Sequence, residues 1–238
     1  MDLIRIGRNA KTTKSDAHES GYLTGIMYLA PDDLAGRTVC PFAKIAGCSD
    51  ACLNTAGKGG MTNVQQARIR KTQWMHDDWA GFQAKLVKDM RKCQRKAKKE
   101  GKRLAIRLNG TSDLQWETFP IVVDGVEYAN IMTAFPDVQF YDYTKIPTRK
   151  NLPTNYRLVY SYSEATQKAA TLGANVLNNK PSHNVAVVFR KSLPETFGGR
   201  RVIDGDQHDL RFLDPDNVVV GLVAKGPAKR DTSGFVQP

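Results

Sequence analysis

Leu104-Ala-Ile-Arg-Leu108-Asn109-Gly-Thr-Ser-Asp113 is the stretch that decides the fold. Leu104, Ile106 and Leu108 alternate with other residues, and the run stops at a polar, glycine-containing turn. That is the pattern of a strand with a turn at its C-terminal end. A helix precedes it. Asp77 and Asp78 mark the start and Gly101 the end, while Trp79, Phe82, Leu86, Met90 and Cys93 recur every three or four residues. One buried face at helical period is implied.

The same alternation continues in both directions. Residues 22–29 read as a first strand stopped by Pro31, and 138–143, 156–162, 185–189 and 218–223 read as later ones. Helix-sized segments lie between several of them. One runs from Thr62 or Asn63 to about Trp74; another covers 165–172, with Ser163 as its cap and Gly173 as its stop. Six strands alternating with helices predict an α/β fold with a parallel sheet and helices outside. Six such units curl into a partial (βα)6-like barrel. Two segments interrupt the pattern. Residues 121–128 carry Asp124-Gly125, a hairpin signal, and 201–212 read as a second hairpin. Residues 1–20 are expected to be a loose lead-in, 21–226 a single domain and 227–238 a loose tail.

At 238 residues with 41% hydrophobic content, the chain can bury a full core. It has no apolar run of membrane-spanning length, and Met1-Asp-Leu-Ile-Arg-Ile-Gly lacks the signal-peptide pattern. A reducing cytoplasm is the expected setting. The net charge of +11 favours acidic partners such as nucleic acid. The outer side of the 77–100 helix carries Lys88, Arg91, Lys92, Arg95, Lys96 and Lys99. This is either a solvated face or a phosphate-facing patch, and no aromatic residue is interleaved for base stacking.

Three of the four cysteines fall in one loop, Cys40-Pro-Phe-Ala-Lys-Ile-Ala-Gly-Cys48-Ser-Asp-Ala-Cys52. The spacing is Cys-x7-Cys-x3-Cys. An odd number of clustered cysteines in a reducing compartment points to metal rather than disulfides. Three thiolates on a four-iron cluster leave one iron open to a small molecule. Zinc would need a fourth ligand from His18, His76, His183, His208 or water. No histidine adjoins the cysteines and the spacing matches no zinc finger, which favours iron–sulfur. Cys93, on the apolar helix face, is read as a core residue. Gly57-Lys58-Gly59-Gly60 lacks the frame of a phosphate loop. Asp204, Asp206 and Asp209 have turn chemistry rather than calcium-loop spacing.

Polar residues also gather at the strand ends. Alternation places Arg107 and Asn109 inward on their strand, with Val159, Ser161 and Ser163 on another. Val138, Phe140, Asp142 and Thr144 form the corresponding set between them. A polar pocket at one mouth is one reading. Mutual neutralisation of Arg107 and Asp142 is the other.

Several stretches together resemble the phage "gene product 88" family. They are Cys40-Pro-Phe-Ala with Gly47-Cys48-Ser-Asp-Ala-Cys52-Leu-Asn-Thr-Ala-Gly, Gln66-Ala-Arg-Ile-Arg-Lys-Thr, Arg107-Leu-Asn-Gly-Thr-Ser-Asp113, Phe140-Tyr-Asp-Tyr-Thr-Lys145, Asn184-Val-Ala-Val-Val-Phe, Val202-Ile-Asp-Gly-Asp206 with Asp209-Leu-Arg-Phe-Leu-Asp-Pro, and Ser233-Gly-Phe-Val. More distantly, the layout resembles the radical S-adenosylmethionine enzymes, which carry a three-cysteine loop after the first strand of a six-unit partial barrel. That resemblance implies a 4Fe-4S cluster on Cys40, Cys48 and Cys52, with S-adenosylmethionine on the open iron. It places Asn109, Ser112, Asp113, Ser161 and Ser163 at the cofactor and Asp142, Thr144 and Lys145 toward the substrate. The usual spacing in those enzymes is Cys-x3-Cys-x2-Cys with an aromatic before the last cysteine. Here Ala51 stands in that place. The alternative function is a non-enzymatic iron–sulfur or zinc protein that binds nucleic acid or a host protein.

Overall fold

The computed structural model describes residues 1–7, 10–17, 20–180 and 183–238. Its strands are β1 Ile4–Ile6, β2 Tyr22–Met27, β3 Arg103–Arg107, β4 Ile121–Val123, β5 Val126–Tyr128, β6 Gln139–Thr144, β7 Tyr156–Ser161, β8 Val185–Phe189, β9 Thr196–Phe197, β10 Arg200–Asp204, β11 Val219–Val223 and β12 Val236–Gln237. The helices are α1 Ala10–Ala17, α2 Ala43–Ala46, α3 Thr62–Asp77, α4 Trp79–Lys99, α5 Ile131–Ala134 and α6 Gln167–Asn179.

Ten strands form one sheet in the order β1-β2-β3-β6-β7-β8-β11-β10-β9, with β12 also paired to β8. Pairing is parallel from β2 through to β10, and β1 and β9 add antiparallel edges. Among the described residues no pairing joins the two edges, so the sheet is open. The fold is thus α/β with a largely parallel sheet.

Strand order from β2 to β11 follows chain order, so the crossover helices gather on one face. The register shows which. Ile106, Phe140 and Tyr156 are partners, as are Tyr160, Val185 and Val219 further along the sheet. Onto this face α4 packs Phe82, Leu86, Met90 and Cys93 against Leu104, Ile106 and Leu108. Val176 and Leu177 of α6 pack there against Tyr160, Tyr162, Val185 and Val187. Each such side chain contributes about 1.5–3 kcal/mol on burial. Cys93 is the core residue its periodicity implies.

Singly wound helices leave the second face of the sheet bare, and the chain fills it from within. Leu210 and Phe212 pack on Tyr22, Ala105 and Tyr141. The segment read as a hairpin at 201–212 is therefore something else. Only β10 is a strand; its antiparallel partner is β9, upstream, and the rest is a plug under the sheet. Alternating polarity around Asp204-Gly205 could not reveal a partner that precedes it in the chain. The 121–128 hairpin is present as β4 and β5, with Asp124 and Gly125 both at positive φ.

Both termini differ from the expectation of loose ends. Leu3 is fully buried and β1 pairs with β2, while β12 pairs with β8. Short edge strands carry too little periodicity to register in a sequence. Helix boundaries moved as well. Met61, not Thr62 or Asn63, holds the N-cap position of α3. Thr166, not Ser163, caps α6 through the Ala169 amide. That helix runs through Gly173, where a side chain would strike the Tyr162 ring. Glycine here provides close packing rather than a stop.

Candidate functional site

The cysteine loop follows β2 at the C-terminal edge of the parallel strands, where ligand sites form in open α/β sheets. Its own backbone is tightly turned. The Ala43 amide donates to the Cys40 carbonyl, and Gly47 at φ +58° ends α2. The Cys48 amide returns to Ala43 O, and the Cys52 amide donates to Ser49 O.

Neighbouring elements brace it from three sides. From the connection between β7 and α6, Ser163 Oγ donates to Ala46 O at 2.6 Å and Thr166 Oγ1 to Ile45 O at 2.8 Å. From the 109–117 turn, the Asp113 amide donates to Val39 O at 2.8 Å. From α3, Arg68 Nη1 donates to Asn54 O at 2.7 Å and lies within cation–π range of Tyr28. The C-terminal segment closes the far side. Ala224, Ala228 and Val236 pack on Ala51, and Ser233 Oγ donates to Gly47 O at 3.3 Å.

All four cysteines are free thiols. Burial pushes the Cys40 thiol up to about 12, and charge on Cys48 and Cys52 adds to the rise. Burial likewise raises Cys48 and Cys52, and Cys52 feels Cys48. At Cys48 the leading charge is Lys145, which opposes the rise. Their remaining contacts are weak: Cys40 Sγ to Thr111 O at 3.8 Å, Cys48 Sγ to Ala43 O at 3.9 Å, and the Asn54 amide to Cys52 Sγ at 3.4 Å. Among the described residues no group of three or more His, Cys, Asp or Glu side chains is arranged to hold a metal ion. Thiolate donors suit zinc and iron–sulfur clusters alike. Of the histidines proposed for zinc, His208 sits by Leu210 and Arg211 in the plug, and His76 lies near Arg37. His183 gives its carbonyl to Arg200 beyond α6. His18 lies outside the described residues.

The remaining candidates divide sharply. Lys145 lies among the elements that brace the loop: its Nζ donates to Tyr162 O at 3.0 Å and lies 4.3 Å from the Phe235 ring centroid. Burial lowers it to about 8, against the opposing pull of Cys48 and Asp113. Asp113 accepts from the Lys145 amide at 2.7 Å, and burial raises its carboxyl. Asn109 and Ser112 are committed inside their own turn, with Ser112 Oγ donating to Asn109 Oδ1 at 2.8 Å. Ser161 is half-buried on β7 and Ser163 is the clamp on α2.

Asp142 is fully enclosed. Its cross-strand partner Leu158, and Phe140 two residues before it on the same strand, belong to the helix-covered core, so the expected phase of β6 is one residue off. Tyr141 and Tyr143 occupy the opposite face instead. Every position of Phe140-Tyr-Asp-Tyr-Thr suits either face, which left the phase undetermined by sequence. Asp142 accepts from the Asn109 amide at 2.8 Å and from Tyr156 OH at 3.0 Å, tying β3, β6 and β7 together. Burial raises it to about 7, opposed first by Arg107. The nearer acid to Arg107 is Asp209, at 3.0 Å, against 3.7 Å for Asp142. Asp206 meanwhile pairs with Lys225 and Asp209 with Arg107, while Asp204 accepts from the Asp206 amide at 2.8 Å.

Sequence reasoning missed Arg68, Arg149 and the C-terminal brace. Arg149 is buried between Glu117, Tyr156 and Asp113. Ser233-Gly-Phe-Val was visible as a motif, but its composition resembles a tail. The basic residues Lys88, Arg91, Lys92, Arg95, Lys96 and Lys99 lie on α4, which packs against β1 to β4.

The chain belongs to the gene product 88 family. The model of that family, described as "Gene product 88", matches residues 3–238. No curated protein and no solved structure matches the chain. Family membership thus covers the cysteine loop, the 109–117 turn and the C-terminal brace in one unit. No helix of the described residues is long and apolar enough to cross a membrane.

Proposed function

We propose that this gene product 88 member is a phage-encoded, cytoplasmic iron–sulfur protein of the radical S-adenosylmethionine type, built on a partial (βα)6-like barrel. One observation carries the reading: a single braced loop at the carboxyl edge of parallel strands carries three free, partly buried thiols. Strand order that follows chain order supports the barrel-like winding.

In this reading Cys40, Cys48 and Cys52 hold a four-iron cluster. When bound, such a cluster supplies an electron that cleaves S-adenosylmethionine. The chain's own residues shape and exclude. Ser163 and Thr166 fix α2, the short helix between Cys40 and Cys48. Arg68 holds the Cys52 side through Asn54. Asn109 and Ser112 keep the 109–117 turn in place, which sets Thr111 beside Cys40. Lys145 supplies a half-buried cation within the Coulombic reach of Cys48 for a cofactor carboxylate, and Asp113 offers its carboxyl to a cofactor amine. Val236 and Phe235 shut water from the loop's underside.

Anaerobic purification tests the proposal. Brown protein is expected, with about four iron and four sulfide per chain. S-adenosylmethionine should change the electron paramagnetic resonance signal of the reduced protein and release 5′-deoxyadenosine slowly. Stoichiometric zinc with no sulfide, from iron-replete cells, would overturn the cluster. An unchanged signal with no cofactor binding would leave a cluster and remove the enzyme.

A further inference from the structure

The outer face of α4 is a second feature of the molecule, independent of the cysteine loop. Helix α4 has 21 residues and a single acid, Asp89, which is buried. Asp89 turns inward, accepting from the Leu3 amide at 2.6 Å and pairing with Lys85. Other acids reach α4 from outside it, and they meet its flanks. Asp124 of the hairpin takes Arg91, Asp2 takes Lys85 and Lys92, and Glu100 takes Lys96.

At about 100° per residue, Lys88, Arg95 and Lys99 fall within roughly 40° of one another, opposite Leu86, Cys93 and Ala97. Lys92 lies beside them. All four are exposed. They follow at i, i+4, i+7 and i+11, so the cations are spaced about 4.5–6 Å along the axis. The pairs 88/92 and 95/99 are like charges one turn apart, which destabilise a helix by about 0.2–0.5 kcal/mol each. Attraction to the helix C-terminus accounts for Lys96, Lys98 and Lys99, because that effect fades beyond the last turn. It does not account for Lys88 or Lys92. A solvated face would more usually mix signs.

We infer that the α4 stripe of Lys88, Lys92, Arg95 and Lys99 docks the phosphate backbone of a nucleic-acid duplex. A rigid row of cations, met by an acid only where Asp2 reaches Lys92 among the described residues, complements a row of phosphates, and association relieves the repulsion along the helix. The stripe contains no aromatic side chain, so contact is with backbone rather than with stacked bases. Binding is accordingly independent of sequence.

The experiment is salt-dependent binding of the full chain to 20-base-pair duplex DNA, duplex RNA and anionic vesicles. Four phosphate contacts give a slope of about −3.6 in log K against log salt, a loss of roughly 150-fold between 50 and 200 mM. The variant carrying Lys88→Glu, Arg95→Glu and Lys99→Glu should lose most of that slope and bind at least tenfold more weakly. A second variant, Lys44→Glu, Lys58→Glu and Lys229→Glu, changes net charge equally at exposed sites near the cysteine loop and should keep the slope. Thermal melts verify that both fold. A preference for DNA or for RNA names the source of the phosphates. No duplex binding at 50 mM salt, equal losses in the two variants, or binding to vesicles alone would overturn the inference.

Discussion

The turn at 109–117 and the cysteine loop at 40–60 are both irregular, both polar and stacked on the same edge of the sheet, yet they are held differently. The turn closes on itself. The Asn109 side chain makes five hydrogen bonds, to Leu114 O, Asp142 Oδ2, Ser112 Oγ, the Leu114 amide and Trp116 Nε1. The cysteine loop is pinned from outside, by Ser163, Thr166, Arg68 and Ser233, and its three thiols make only long sulfur contacts. One loop is complete as folded. The other leaves its three thiols with only weak sulfur contacts. The proposed cluster would draw on that contrast, taking ligands from a loop whose backbone is already placed.

The largest effect should come from the thiols. Structural metal sites contribute on the order of 10 kcal/mol to the segments they hold. Cys40→Ala, Cys48→Ala and Cys52→Ala should each yield iron-poor protein, with faster hydrogen exchange across 40–60 and unchanged exchange across 109–117. Equal protection of the two loops in these variants would erase the contrast.

Asn109→Ala attacks the other loop. It strands the buried Trp116 Nε1 and leaves Asp142 with one donor fewer, and each orphaned group costs about 1–3 kcal/mol. Urea unfolding should show a loss of about 3 kcal/mol. A loss under 1 kcal/mol would mean that the turn does not depend on its central side chain.

A pH series sharpens the comparison beneath that turn. Burial raises Asp142 to about 7. The folded chain then keeps a proton that the unfolded chain releases above about pH 4. This group's contribution to stability is full below that value and is lost as pH rises through 7. Asp142→Asn cannot release the proton. The urea midpoint of the native chain should therefore fall more steeply from pH 5 to pH 8 than that of the variant, by up to about 3 kcal/mol. Parallel curves would place Asp142 outside this titration.

Single braces and core positions should matter least. Ser163→Ala removes one hydrogen bond to α2 and should cost about 1 kcal/mol. Cys93→Ala should cost about 1–2 kcal/mol. Both proteins should stay brown. Bleaching of Cys93→Ala would make Cys93 a fourth ligand and remove the open iron on which the proposed enzyme depends.

The sequence by itself determined the elements whose signal is local and long. Helix α4 and its buried Cys93 follow from 3.6-residue periodicity, the β4–β5 turn from Asp124-Gly125, and the parallel winding from repeated strand–helix alternation. It also marked Cys40, Cys48 and Cys52, because their spacing is readable without a fold. Tertiary structure alone decided the phase of β6, since Phe140-Tyr-Asp-Tyr-Thr fits either face until its neighbours choose. It alone turned 205–213 from a hairpin arm into a plug, because the bare face that the plug covers is made by strands far away in the chain. It alone gave Leu3 and Val236 their places at the ends of the fold. A two- or three-residue strand has almost no pattern of its own, and only the edge it pairs with defines it.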